Sequence, residues 1–316
     1  MLHHNNCQKV EVLMSAHKMH ADEVDIDISL VHRLLADQFP QWADLLIQPV
    51  LSSGTENAIY RLGEEMAVRL PRYPGATGAI DKEHSWLPKL APHLPLSIPV
   101  PLAKGFPCEG YPFHWSVFRW LSGENATIEG IENPCEAAMN LAQFITALQQ
   151  FDTTGAPGAA NHNLRGVPLA TRDTAVRTAI AALHGMIDTD AATKVWEAAL
   201  QAPEWNREPV WFHGDLLPGN LLFEKGRLSA IIDFGGLGVG DPACDLMIAW
   251  GLFAGESREV FRIALAVDEA TWARGRGHAL SQALIFIPYY LNTNPVGVGN
   301  ARYAIAQILD DFRREA

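Results

Sequence analysis

The stretch WFHGDLLPGNLLFEKGRLSAIIDFGGLGVGDPACDL, residues 211–246, sets four polar side chains in an apolar run. They are His213, Asp215, Asn220 and Asp233. An unpartnered polar group in such surroundings is costly, so each needs a partner or a task. Val210-Trp211-Phe212 reads as a strand leading into His213-Gly214-Asp215. Leu216 to Gly219 turns the chain to Asn220, and Leu221-Leu222-Phe223 runs on as a second strand. Glu224-Lys225-Gly226 is a hairpin turn and Leu228 to Ile232 returns. The hairpin brings Asp233 back near Asn220, with Asp215 close by. Asn and Asp oxygens meeting at one end of a small sheet suit Mg²⁺, which takes few protein ligands and is completed by phosphate and water. Singly, each residue also reads as structure: a turn or cap for Asp and Asn, a hydrogen-bonded core side chain for His213. The joint spacing, HGDxxxxN and then an apolar hairpin ending in Asp-Phe-Gly, is what points to chemistry.

Upstream, Ile28, Val31, Leu34, Leu35 and Phe39 recur at helical spacing, with Ser29 as a cap. Residues 46–71, LIQPVLSSGTENAIYRLGEEMAVRLP, alternate strand and turn, which predicts an antiparallel meander. Ile80, Glu83, Trp86, Leu87 and Leu90 predict a helix over 79–91. The Pro-rich HLPLSIPVP breaks any helix, and YPFHWSVFRWL then reads as a strand. Helices are predicted over 134–151, 170–186 and 190–202, and over most of the chain from 243. Strands thus dominate the first 120 residues and helices the rest. The fold class expected is α+β, with a small antiparallel-sheet N-lobe over 28–118 and a larger, mainly helical C-lobe over 119–316. Residues 1–27 read as a flexible extension, within which Met14 is a possible alternative start.

The 316 residues suggest about two domains. Acidic residues number 36 and basic residues 24, a formal charge of −12. That balance excludes a general phosphate-backbone binder, so no nucleic-acid partner is expected. It suits a cationic ligand, although solubility alone accounts for it equally simply. Cysteines 7, 108, 135 and 244 form no CxxC pair, which fits a reducing cytoplasm and argues against structural zinc. No apolar run reaches the roughly 18 residues of a membrane span, and the polar start MLHHNNCQKV does not read as a signal peptide. A cytoplasmic protein with no membrane partner is expected.

HGDLLPGN followed by IIDFGG and GDPACDL resembles the aminoglycoside phosphotransferase family, small-molecule kinases of protein-kinase-like fold. The likeness runs over residues 30–310. SSGTENAIYRLG resembles the family's nucleotide-covering strand–turn–strand, AVRLPR the strand bearing the phosphate-pairing cation, KEHSWLPKL the helix whose Glu pairs with it, and SVFRWLSGE the hinge. The resemblance implies a two-lobed kinase-like fold, Mg²⁺, and ATP or GTP as donor. Asp215 would be the catalytic aspartate, supported by His213, and Asn220 and Asp233 would hold the metal. Arg69 would contact the α/β phosphates, braced by Glu83. Ser53, Gly54 and Thr55 would cover the phosphates, and the backbone at Val117, Phe118 and Arg119 would meet the base. Asp241 and Asp245 would cap and brace the helix from 242, with Asp241 also a candidate acceptor contact. Arg69 stands where protein kinases carry lysine, and its fork still binds phosphate. The cover loop has one glycine, Gly54. There is no GxxxxGK[ST] loop, and GGLGVG lacks the dinucleotide-binding spacing.

The acceptor is less legible. Glu256, Glu259, Asp268 and Glu269 are candidate acidic contacts that read equally as a solvated helix face. Trp250, Phe253, Trp272, Phe286, Tyr289 and Tyr290 could line a cleft or fill the core. An aminoglycoside would want carboxylates; a macrolide or other bulky alcohol would want apolar walls. The net charge leans toward the cation. The competing readings are a choline-, sugar- or homoserine-kinase-like enzyme, a catalytically silent nucleotide-binding module, and a metal-dependent hydrolase built on His213, Asp215 and Asp233.

Overall fold

Five short runs of alternating side chains between residues 47 and 119 pair into one five-stranded antiparallel sheet in the computed structural model. The structure describes residues 22–50, 56–108, 110–127, 130–158 and 165–315. The sheet runs β1 (Ile47–Pro49), β2 (Asn57–Leu62), β3 (Met66–Pro71), β5 (Trp115–Arg119) and β4 (Pro101–Gly105), in that spatial order. Ala58, Tyr60 and Leu62 of β2 point inward, as period-two alternation requires. They pack with Leu30, Val31, Leu34 and Leu35 of helix α1 (Ile28–Gln38).

The cap of α1 is Asp27, not Ser29. Asp27 has extended backbone and its Oδ1 accepts from Leu30 N at 2.7 Å, whereas Ser29 lies inside the first turn. Residues 24–26, which the sequence places in the terminal extension, run along this lobe: Val24 N donates to Arg72 O at 2.8 Å and Tyr60 Oη to Ile26 O at 3.1 Å. Strand β4 begins at Pro101, the last residue of the Pro-rich segment, where the sequence suggested only a break. It is an edge strand with Pro101 as its first residue, both of them positions where a sheet tolerates proline.

Helix α2 (Ile80–Leu90) joins the two parts of the molecule. Its Leu87 and Leu90 belong to the larger core, and Trp86 meets Trp211 with ring centroids 4.7 Å apart. Beyond β5 the chain is mostly helical. Helices α3 (Pro134–Gln149), α4 (Asp173–Ala182) and α5 (Thr189–Gln201) precede the small strands within residues 210–240, and α6 (Ile248–Gly251), α7 (Glu256–Leu265), α8 (Glu269–Tyr290) and α9 (Pro295–Glu315) follow them. α3 opens as its sequence dictates, with Asn133 capping Glu136 N at 3.1 Å and proline in the first turn.

α8 runs through the middle of this part and is buried on most sides from Thr271 to Ile287. Gly275 and Gly277 make that possible: a Cβ on either would stand 2.6–2.7 Å from Leu246 or Ala199. Two small sheets carry the decisive stretch. β7 (Val210–Phe212) pairs with β10 (Gly238–Gly240), and β8 (Leu221–Glu224) lies between β6 (Glu124–Asn125) and β9 (Arg227–Ile231). Among the described residues, no helix is long and apolar enough to cross a membrane.

Candidate active site

Two loops at the ends of these small strands meet, the β7–β8 loop with Asp215 and Asn220 and the β9–β10 loop with Asp233. Ile232 N donates to Asn220 O at 2.9 Å, so the hairpin delivers Asp233 beside Asn220. Asn220 Nδ2 in turn donates to the Asp215 backbone oxygen at 2.8 Å and to Asp215 Oδ2 at 3.1 Å. The amide nitrogen is thus spent on Asp215, which leaves its oxygen for another partner. Asp233 is exposed and sits in the left-handed region at φ 63°, ψ 68°. A left-handed non-glycine residue stores of order 1–3 kcal/mol, held by its surroundings. Here Phe234 is fully buried and packs edge-on against His213 at 4.5 Å. Among the described residues the Asp233 carboxylate has no hydrogen-bond or ion-pair partner.

His213 is framework. Its Nδ1 accepts from Asp215 N at 3.1 Å, so Nε2 carries the proton and donates to Ile232 O at 3.1 Å. Both ring nitrogens are satisfied in the neutral form, and burial pushes the imidazole down to about 4. Asp245 holds the same loop from below, accepting His213 N at 2.8 Å and Gly214 N at 2.7 Å. Burial raises its carboxyl to about 7 against those two bonds. Gly214 has φ +83°, and a Cβ there would stand 2.7 Å from Gly236 O. The Asp215 loop and the Asp-Phe-Gly-Gly loop therefore touch backbone to backbone.

The N-lobe side is basic. Arg69 on β3 forks onto Glu83 of α2; Nη1 reaches Oε1 at 2.9 Å and Nη2 reaches Oε2. Glu83 is 1% exposed. Burial pushes its carboxyl up while the guanidinium pulls it back. Arg69 also stacks over Phe118, 5.0 Å from the ring centre. Its neighbour Lys82 donates from Nζ to Gly235 O at 2.6 Å, tying α2 to the Asp-Phe-Gly loop, and burial lowers its ammonium to about 8. Burial raises the carboxyl of Glu56, just before β2, and the charges of Asp233 and Asp215 raise it further.

The other candidates fall as follows. Ser53, Gly54 and Thr55 lie outside the described residues. Val117 and Phe118 are buried in β5, and Arg119 is exposed at its end. Asp241 is buried, capping Ala243 N at 3.0 Å and pairing with Arg274 at 2.7 Å, so its carboxylate is committed to structure. Asp268 caps Thr271 N and pairs with Arg207; Glu269 pairs with Arg262; Glu256 and Glu259 are exposed on α7. Among the described residues no hydrogen bond or ion pair links any of these four to Asp215. Asp268 lies 14 residues from Gln282, the α8 residue that meets Arg165, about 20 Å along a helix axis. Spacing on a helix face marked them as acidic, but which end of α8 meets the site is a tertiary matter.

Two polar neighbours of the site escaped the sequence reading. Lys82 is adjacent to Glu83 and was overshadowed by it. Arg165 donates from Nη2 to Asp215 Oδ1 at 2.8 Å, from a segment 50 residues upstream without local periodicity. A charged residue next to a recognised motif was a usable signal for the first; none existed for the second.

No curated protein sequence matches the chain. Solved structures of similar fold include the GDP and kanamycin complex of APH(2″)-IIIa, at 17% identity and TM-score 0.68, covering 91% of this chain and 99% of that one. The gentamicin complex of APH(2″)-IIa is 18% identical with TM-score 0.59, covering 90% and 97%. Macrolide 2′-phosphotransferase MphH from Brachybacterium faecium is 22% identical with TM-score 0.57, covering 89% and 97%. These likenesses agree with the small sheet lobe and larger helical part described above. The model of the phosphotransferase enzyme family matches residues 48–278, from β1 to the middle of α8, and the chain belongs to that family.

Proposed function

We propose that this phosphotransferase moves the γ-phosphoryl group of ATP or GTP to a hydroxyl of a small molecule, an aminoglycoside first among them. One observation carries the reading: Asp215 and Asn220 of the β7–β8 loop converge with Asp233 of the loop after β9, and the charge of Asp233 reaches the Arg69–Glu83 pair. Asp215 orients the attacking hydroxyl and accepts its proton. Arg69 and Lys82 supply positive charge on the phosphate side, and neutral His213 holds the Asp215 loop in shape.

Asn220 and Asp233 fit Mg²⁺. Asn220 has its amide nitrogen engaged and its oxygen uncommitted, and Asp233 is an exposed carboxylate without a protein partner. Such a hard-oxygen pair suits a cation that keeps waters and phosphate oxygens in its shell. Among the described residues no group of three or more His, Cys, Asp or Glu side chains forms a metal cage. When bound, Mg²⁺ would neutralise charge on the transferring phosphates.

The aminoglycoside reading draws on the net charge of −12 and on the aminoglycosides bound by structural neighbours. A bulky apolar alcohol such as a macrolide is the second reading. It is favoured by the aromatic ladder at the end of α8, where Tyr290 lies 4.5 Å from Phe286 and 4.6 Å from Tyr289, with Tyr289 exposed. The test incubates the protein with Mg²⁺, ATP or GTP, and a panel of aminoglycosides, macrolides and small amino alcohols. A gain of about 80 Da on one acceptor, absent with Asp215→Ala, is the expected result. Asp215→Ala should still bind Mg²⁺-nucleotide. Nucleotide binding without transfer to any acceptor would favour a silent module, and normal turnover by Asp215→Ala would sink the mechanism.

A further inference from the structure

Arg165 divides its guanidinium between two elements. Nη2 donates to Asp215 Oδ1 at 2.8 Å and Nη1 donates to Gln282 Oε1 of α8 at 2.9 Å. The other oxygen of Asp215 accepts from Asn220 Nδ2 at 3.1 Å. The carboxylate is therefore clamped at both oxygens, from two directions, by side chains far apart in sequence. Arg165 is 9% exposed, while the Asp215 side chain keeps 29% of its surface open. The cation lies behind the carboxylate and the carboxylate faces the solvent side.

We infer that Arg165 is a positioning residue for phosphoryl transfer: it fixes the angle of the Asp215 carboxylate toward the acceptor hydroxyl, and Gln282 fixes the angle of Arg165. The inference rests on the function proposed above. A planar guanidinium presents donors in two set directions, so it can satisfy Asp215 and Gln282 together without turning. A lysine ammonium on a flexible stem fixes no such angle. Its two hydrogen bonds go to Asp215 and Gln282 and it is buried behind the more open carboxylate, so it acts through Asp215. The clamp ties the catalytic loop to α8. The same helix carries Tyr289 and Tyr290 two turns further on, so the wall with the aromatic ladder and the proposed base share one rigid element.

Misplacing a reacting group by about 1 Å can cost about 10²-fold in rate. Arg165→Ala should therefore lower kcat by about 10²-fold with whichever acceptor the panel identifies, and leave KM for the nucleotide little changed. Added guanidinium ion, at concentrations below those that unfold the wild type, should restore part of that loss. Arg165→Lys should recover little. Gln282→Leu should lower kcat less than Arg165→Ala while keeping Tm near wild type, which guards against an Arg165 variant that fails to fold. A rise in nucleotide KM at constant kcat, or loss of activity that guanidinium leaves untouched in a folded Arg165→Ala protein, would overturn the inference. So would wild-type kcat in Gln282→Leu. A wild-type chain that phosphorylates no acceptor overturns the proposed function and takes this inference with it; an active wild type with unaffected Arg165 variants overturns the inference alone.

Discussion

Arg69 and Glu83 form a pair in which each side chain depends on the other. Glu83 is almost completely buried, and a buried carboxylate is tolerable only beside a cation and its hydrogen bonds. Arg69→Met removes that cation. It should destabilise the fold by about 3–5 kcal/mol in urea melts, the usual cost of stranding one half of a buried pair. It should also raise KM for the nucleotide. Arg69→Lys keeps the charge but loses the fork, so its stability should fall between wild type and Arg69→Met. The pairing was legible only through the resemblance of AVRLPR and KEHSWLPKL to the family's strand and helix; periodicity alone placed the two elements and not the contact between them. For Lys82 the sequence signal was its place beside Glu83; its bond to a backbone oxygen, Gly235 O, is one that no side-chain pattern announces.

At the scale of elements, the site depends on how closely two loops approach. Gly214 and Gly236 meet where a Cβ on either would come within 2.7–2.8 Å of the other loop's backbone. Gly214 also has φ +83°, which L side chains rarely adopt. Gly214→Ala should therefore cost at least about 1–3 kcal/mol in denaturant midpoint. It should also lower kcat, because Asp215 is the next residue. Gly219, in the same HGDLLPGN run, has nothing within 4 Å of a Cβ. Gly219→Ala should be tolerated in both measurements, and equal behaviour of the two variants would show that loop contact is not what matters. The hairpin that returns Asp233 to Asn220 was readable from alternation and turn residues. Strand β4 was not, because proline breaks a helix visibly but says nothing of whether a sheet edge is available.

At the scale of the whole molecule, two buried histidines set the response to acid. His213 is pushed down to about 4 and His278 to about 3, both chiefly by burial. His278 is 1% exposed and neither ring nitrogen has a partner among the described residues. Both pKa values are depressed relative to the unfolded chain, near 6.5. Between 6.5 and 4 the unfolded chain therefore binds more protons, and stability falls as pH falls. Each histidine should cost about 2 kcal/mol by pH 5. Thermal melts should show Tm dropping between pH 7 and pH 5, and His278→Leu should flatten that drop. The raised Asp245 carboxyl works the opposite way, losing stability as pH rises toward 7, so the optimum should lie near neutrality. An unchanged slope in His278→Leu would exclude His278 as a source of the acid sensitivity.

Local chemistry sufficed for much of this protein. Apolar periodicity determined the sheet-then-helix order, turn residues determined the hairpin, and the spacing from His213 to Asp233 determined which polar groups would converge, because all of them lie within one short stretch. The tertiary structure decided what joins that stretch from elsewhere. Arg165 reaches Asp215 across 50 residues, Asp245 holds the loop across some 30, and α8 turns Gln282 toward the site while Asp268 and Glu269 stay at its far end. Such contacts arise from packing between elements, and sequence separation carries no trace of them.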